Sequence, residues 1–267
     1  MNNNPAISNE EYHKIPALSA SGLRLLAESP AHYKYSVREE TRAMTIGTAT
    51  HCAVFEPERF KREYIAAPEI DKRTKAGKEE WGQLEASGKI ILTMEEHADV
   101  TGMAESIRED EIAGQLIAGG MAEHSIFWDS HIMLNGAPVT IPCKARPDYI
   151  REVEGRYDII DLKTTLNAKE RAFERTAFDY GYHLQAAFYH EGCTSVLDLG
   201  VREFIFIAVE KKPPYALMIY PADQSFMNLG HSKNSQLIQL YAKCQTENNW
   251  PKYQNNVRRL GVPAWAR

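Results

Sequence analysis

The sequence predicts an α/β or α+β fold in which a sheet is flanked by helices. Three observations carry that expectation. Helical spacing dominates the first 117 residues. Near residue 120 the pattern changes to short β-branched and aromatic runs separated by turn residues. Helical spacing then returns, is interrupted by two more strand-like runs, and closes in a long helix. With 267 residues, 43% of them hydrophobic, the chain can bury a sizeable core and reads as one elaborated domain, 1–267. Residues 1–15 are expected to be a loose arm and residues 120–221 the central sheet and core.

The elements follow in order. Ser19 to Ala27 has a serine ahead of apolar residues at helical spacing, and Ser29-Pro30 closes it. A second helix is expected from Gly47 to Phe55, stopping at Glu56-Pro57. The basic stretch DKRTKAGK, residues 71–78, lacks hydrophobic periodicity and is expected to be a mobile loop. A charged helix should run from Met94 to Ile117 and end at Gly119-Gly120. Ser125 to Leu134, Val139 to Ile150 and Tyr157 to Lys163 then suggest a three-stranded antiparallel meander, with Asn135-Gly136 as one turn. Helices are expected at Ala168 to Phe178 and Tyr182 to Tyr189. Strands at Glu203 to Val209 and Ala216 to Tyr220 precede a helix reaching Cys244.

Composition narrows the function classes. The formal charge of −5 offers no global basic field, which disfavours a passive nucleic-acid coat but not an enzyme with a local cationic track. The four cysteines, Cys52, Cys143, Cys193 and Cys244, are far apart and form no Cys-x-x-Cys pair. Free, buried thiols are therefore expected rather than a zinc finger or a stapled scaffold. No run approaches the roughly 20 apolar residues of a membrane span, and the polar start lacks a secretory layout. A cytoplasmic protein without a membrane partner is the expectation.

Chemistry concentrates in the meander. Alternation along a strand puts Asp161 and Lys163 on one face, about 6.6 Å apart at Cα, while Leu162 turns into the core. A hairpin centred between Val153 and Glu154 would make Asp148 the diagonal neighbour of Asp161 on that face, within reach of a shared cation. Pro147 has no N–H to donate and implies an edge or bulge just before Asp148. Clustered carboxylates need a hard cation, and oxygen ligands favour Mg²⁺, with Mn²⁺ as substitute. A lysine beside such a site can orient water or stabilise phosphate charge, which suits phosphodiester hydrolysis. Alone, an Asp-x-Lys on a strand is more often a solvated face.

The surroundings add specificity. Arg146-Pro147-Asp148 is followed, thirteen residues after its aspartate, by Asp161-Leu162-Lys163-Thr164-Thr165, and then by His183, Gln185 and Tyr189 in YHLQAAFY. This order resembles the PD-(D/E)xK exonucleases, in detail the RecE-type exodeoxyribonuclease VIII family. Further likeness lies in Gly47 to Cys52, Arg73 to Glu80, Ala122 to Trp128 and Pro263-x-Trp265-Ala266, so that it spans nearly the whole chain from Ile7. The resemblance implies a restriction-endonuclease-like or lambda-exonuclease-like core with a mixed sheet. It implies Asp148 and Asp161 as metal ligands with the Leu162 carbonyl, Lys163 as catalytic lysine, and His51 and Glu123 as additional metal-site residues. Gln185 and Tyr189 match the motif on the adjoining helix. Such enzymes degrade one strand of linear double-stranded DNA from the 5′ end with Mg²⁺, leaving 3′ overhangs. They work as a ring-shaped homo-oligomer, a tetramer by resemblance, beside a RecT-type single-strand annealing protein.

Blander readings stand beside these. His51 in an apolar helix is, taken alone, more often a core histidine, and Glu123 a surface acid. Lys72, Arg73, Lys75 and Lys78 are either a solvated loop or a DNA-contacting one, with Thr164 a further contact candidate. The four tryptophans suggest core or subunit packing. An iron–sulfur nuclease of the same fold would need clustered cysteines near Cys244, which stands alone. An endonuclease of the fold and an inactive DNA-binding subunit remain as alternatives.

Overall fold

The computed structural model describes residues 7–37, 39–253, 257, 259, 261 and 262. Local capping sets the first elements. Ser8 and Glu11 form a reciprocal capping box on α1 (Asn9–Lys14), each satisfying a backbone N–H that the helix start leaves unpaired. Ser19 caps α2 (Ala20–Glu28), and Ser29 caps α3 (Pro30–Tyr35). Thr41 caps α4 (Arg42–Phe55), which gives way at Glu56-Pro57 to α5 (Pro57–Glu63). A short parallel pair, β1 (Tyr64–Ala67) and β2 (Ile90–Thr93), brackets α6 (Lys75–Ala86) in sequence. Next come α7 (Met94–Glu109), α8 (Glu111–Leu116) and β3 (Met121–Ala122).

The strand-rich half contains β4 (Ile126–Leu134), β5 (Ala137–Ala145), β6 (Tyr149–Val153) and β7 (Arg156–Thr165). After α9 (Glu170–Asp179) and α10 (Tyr182–Val196) come β8 (Val201–Glu210), β9 (Leu217–Pro221) and α11 (Gln224–Glu247). The main sheet has the order β3-β6-β7-β8-β9, with β7 and β8 parallel and the other pairs antiparallel. Parallel pairing requires a crossover, and α9 with α10 supplies it. The sheet is therefore mixed and flanked by helices, as the sequence predicts.

Alternation on β7 divides the core in two. Ile159 joins Ile150, Phe204 and Phe206 against α2, α10, α11 and the β4–β5 hairpin. Ile160 and Leu162 join Ile205, Ile207 and Val209 against α4 and α7 on the other face. Burying each such side chain contributes about 1.5–3 kcal/mol. On the first face α10 and α11 approach closely at Gly230, where a Cβ would lie 2.0 Å from the His183 carbonyl oxygen.

Several expectations are corrected. The strand expected over Val139 to Ile150 breaks at Arg146-Pro147-Asp148, so β4 and β5 form a separate two-stranded sheet and β6 enters the main one. Pro147, with no ladder donor, marks the passage between them. The β6–β7 turn is Glu154-Gly155, both at positive φ (51° and 74°), so Val153 pairs with Arg156 and Tyr149 with Ile160. Position 148 thus comes level with 161 instead of lying diagonal to it. The basic stretch 71–78 is a loop only in its first half. The Thr74 side chain accepts from Gly77 N–H and starts α6, a largely exposed helix without an apolar stripe to betray it. The helix expected over Met94 to Ile117 is split at Asp110, which caps α8.

The described part of the amino-terminal arm is docked rather than loose. Lys144 Nζ donates to the carbonyls of Tyr12 (2.8 Å) and Ile15 (2.7 Å), and Arg146 Nη2 to that of Ile7 (3.1 Å). Residues 1–6 lie outside the described residues, as does Pro263-x-Trp265-Ala266. Further unforeseen elements are α1, α3, α5, β3 and the β1–β2 pair. All four cysteines are free and buried, as expected. Trp128 is in the core and Trp250 stacks on Tyr33, but Trp81 lies half-buried under the Lys72 ammonium, 3.0 Å from its ring centre. No helix among the described residues is long and apolar enough to cross a membrane.

Candidate active site

Strand β7 places Asp161 and Lys163 on the face turned toward α10. Lys163 Nζ lies 2.5 Å from Asp161 Oδ1. Gln185, one turn into α10, binds both: its Nε2 donates to Asp161 Oδ2 at 2.6 Å and its Oε1 accepts from Lys163 Nζ at 2.9 Å. The Tyr182 ring, three residues before Gln185 and so on the same helical face, lies 4.6 Å from Lys163 Nζ. The ammonium is thereby fixed in position by an aspartate, an amide and an aromatic face.

Beside this group stands a second one. Asp148 Oδ2 accepts from the Leu162 backbone N–H at 2.7 Å, which ties the residue to β7 although it precedes β6. Its Oδ1 lies 3.2 Å from His51 Nδ1, contributed by α4 from the other side of the sheet. Glu123 follows β3 with φ 50°, and its backbone N–H donates to the Asp148 carbonyl at 2.9 Å. Ligating atoms of His51, Glu123 and Asp148 lie within 4.8 Å of one another. Three elements from different parts of the chain converge on one point.

The charges are unevenly balanced. Burial, and then the Asp148 carboxylate, push Asp161 up to about 6 against the pull of Lys163. Burial, and again Asp148, push Glu123 up to about 7 against His51 and Arg146. Asp148 itself is buried too, yet His51, Lys163 and the Leu162 N–H hold it below the ordinary carboxylate range. His51 is raised because Asp148 outweighs the burial that opposes its charge. Two carboxyls that resist ionisation beside a third that is ionised describe a site short of positive charge. The donor set, carboxylate oxygens plus one imidazole, could hold a divalent metal ion.

The sequence matches the profile of the PDDEXK-like domain of unknown function (DUF3799) over residues 19–259. The chain belongs to that family. Its fold and its motif letters, Pro147-Asp148 and Asp161-x-Lys163, are those of the PD-(D/E)xK nuclease superfamily, whose nucleases generally use divalent metals. The crystal structure of a candidate exonuclease from Eubacterium rectale superposes with a TM-score of 0.62 at 15% identity, covering 96% of each chain, a likeness of fold. The protein SSO0001 aligns with a TM-score of only 0.30 at 13% identity, over 82% of this chain and 86% of that one. No curated protein matches the chain.

Within the PDDEXK-like domain the other candidates are spread more widely. Tyr189 is one turn beyond Gln185, and its hydroxyl is held protonated well above the ordinary value by burial. Leu162 is fully buried, facing the second core. Thr164 follows Leu162 on the face opposite Lys163. Arg73 is engaged by Asp71 at 2.9 Å, and Lys75 and Lys78 are exposed on α6. None of these three shares a hydrogen bond or ion pair with the site. Residues not anticipated are Tyr182, which helical spacing from Gln185 would have found, and Arg146, which donates to Ser125 at 2.9 Å beside Glu123. Tyr12, whose ring lies under Arg146, carried no sequence signal.

Proposed function

We propose that this chain is a divalent-metal-dependent exonuclease acting on linear double-stranded DNA, of the RecE type. The single observation behind this reading is the adjacency of two groups. His51, Glu123 and Asp148 offer ligands to one cation, and Asp161 and Gln185 hold the Lys163 ammonium immediately alongside. His51, Asp148 and Glu123 would hold the metal, with Asp161 and the Leu162 carbonyl joining from β7. The chemistry a divalent ion supplies in such a setting is neutralisation of phosphate charge and acidification of a water. Lys163, aimed by Gln185 and Tyr182, presents its ammonium to a phosphate oxygen or to the attacking water and limits the motion of either. Gln185 keeps Asp161 and Lys163 in register as the charge around them changes. Tyr189, neutral and half-buried, shares a hydrogen bond with Gln185 from one turn further along α10.

Polarity from 5′ to 3′, 3′ overhangs, recombination with a RecT-type annealing protein and a tetrameric ring extend this reading from the resemblance. The test is digestion of linear duplex labelled at the 5′ or the 3′ end, with and without Mg²⁺ or Mn²⁺, beside a covalently closed circle. Metal-dependent early release of the 5′ label, with the circle untouched, is expected. Cutting of the circle would indicate an endonuclease, and no cutting of any substrate an inactive binding subunit. Sedimentation of the intact protein reads the ring directly, and a monomer at all concentrations would overturn it.

A further inference from the structure

A cavity of about 670 Å³ opens between α2, the turn joining α9 to α10, and α11. It lies within the roughly 300–1,000 Å³ range of sites that hold a small organic group rather than a protein. Its wall carries two aromatic rings left largely in solvent, Phe178 at 51% and Tyr180 at 56% exposed. Arg24 and Lys233 stand over it from α2 and α11, both exposed and neither in a hydrogen bond or ion pair among the described residues. Two acids share the rim, Asp179 at 3.7 Å from Arg175 and Glu28 at 3.9 Å from His32. His183 lies in the wall between Phe178 and Phe226, 4% exposed, and neither of its ring nitrogens has a partner.

The cavity is linked to the candidate active site through a pair of rings, one in its wall and one over the lysine. Tyr180 stacks on Tyr182 with ring centres 6.0 Å apart and planes at 20°, and Tyr182 in turn covers Lys163 Nζ. Gly181, at φ 67°, makes this turn possible, and the Arg24 side chain crosses directly above it. A line of aromatic faces therefore leads from the lysine clamp into a concavity flanked by two unpaired cations.

We infer that this cavity holds a single strand of DNA, next to the phosphate under attack, with a base stacked on Tyr180 or Phe178 and its phosphates facing Arg24 and Lys233. The inference rests on the nuclease reading of Lys163. A single strand fits where a duplex does not, because in a duplex the base faces are already stacked on one another and cannot meet a protein ring. Unpaired cations flanking aromatic faces are the complement of a polyanion whose bases are free.

The test uses the full-length chain with EDTA to prevent cutting, and a fluorescein-labelled single-stranded oligonucleotide whose anisotropy reports binding at several salt concentrations. Tyr180→Ala should weaken binding by about 5–100-fold, and Tyr180→Phe, which keeps the stacking face, should restore most of it. Arg24→Ala combined with Lys233→Ala should reduce the slope of log affinity against log salt by about 1.4, two single-strand phosphate contacts' worth. All three positions are exposed, so the fold should survive. Wild-type affinity and salt slope in every variant would overturn the inference even if the enzyme cuts DNA normally. Conversely, weakened binding in the variants of a protein that cuts nothing would leave the cavity assigned and sink the nuclease reading.

Discussion

Asp158 and Asp161 stand three residues apart on β7, both without solvent exposure, and their surroundings are opposite. Asp158 receives two guanidinium groups. Arg202 binds both its oxygens, at 2.7 and 2.6 Å, and Arg151 adds contacts at 3.3 and 3.4 Å. Asp161 has one ammonium, which it shares electrostatically with Asp148, and its proton affinity is raised to about 6. One carboxylate has more positive charge than it needs and the other has less. The first arrangement ties three strands, β6, β7 and β8, together at one end of the sheet. The second stores a demand for a cation at the place where a substrate could bring phosphate, and such imbalance is the usual mark of a reactive group.

Four experiments would break or sharpen that contrast. The largest effect should come from Asp161→Ala or Lys163→Ala, each expected to lower digestion of linear duplex with Mg²⁺ by roughly 10³-fold or more while leaving the circular dichroism unchanged. Full activity in either variant would end the assignment. Next is Asp158→Ala, which strands two arginines and should cost about 3–5 kcal/mol in denaturant unfolding. Asp161→Asn, by contrast, should not lower the melting temperature of the metal-free protein. Equal destabilisation by both changes would show that the two aspartates serve alike.

The third concerns pH. Asp161 and Glu123 bind protons more tightly folded, at about 6 and about 7, than the roughly 4 expected of unfolded carboxyls. Raised carboxyl values mean that the folded state takes up protons, so metal-free stability should rise as pH falls from 8 through 7 and 6, levelling off near 4. Melting curves in EDTA across that range check the sign, and Glu123→Gln should flatten the upper part. Mn²⁺ or Mg²⁺ at pH 8 should recover the stability that protons supply at pH 5. The smallest effect calibrates the others. Glu96 is lowered to about 2, first by Arg42, whose side chain is half exposed. Its contribution should be present above about 4.5 and fade as pH falls toward 2, and Glu96→Gln should cost no more than about 1 kcal/mol at pH 7.

The same contrast marks how much could be read beforehand. Asp161 and Lys163 were legible together because strand alternation is local, whereas helical spacing tied Gln185 only to Tyr189 and its place at the site came from the resemblance. Their partner Asp148 was legible only to within two residues of register, since Glu154-Gly155 rather than the preceding pair makes the turn. His51 and Glu123 came from resemblance alone. They reach the site from α4 and from the end of β3, and no periodicity links those segments. The Arg202 clamp on Asp158 was invisible for the same reason, because it depends on the parallel pairing of β7 with β8 across two helices. Helix α6 was missed because an exposed helix has no apolar stripe, and the break at Asp110 because its cap lies inside an otherwise continuous helical pattern.

Lys144, 5% exposed, has the carbonyl oxygens of residues 12, 13 and 15 as its hydrogen-bond acceptors and the Tyr12 ring beside it. Trimming the chain ahead of residue 16 would remove those acceptors and uncover the ammonium, on the strand that leads directly to Pro147 and Asp148. A version shortened in this way is therefore expected to lose the support of the strand edge that carries the candidate site.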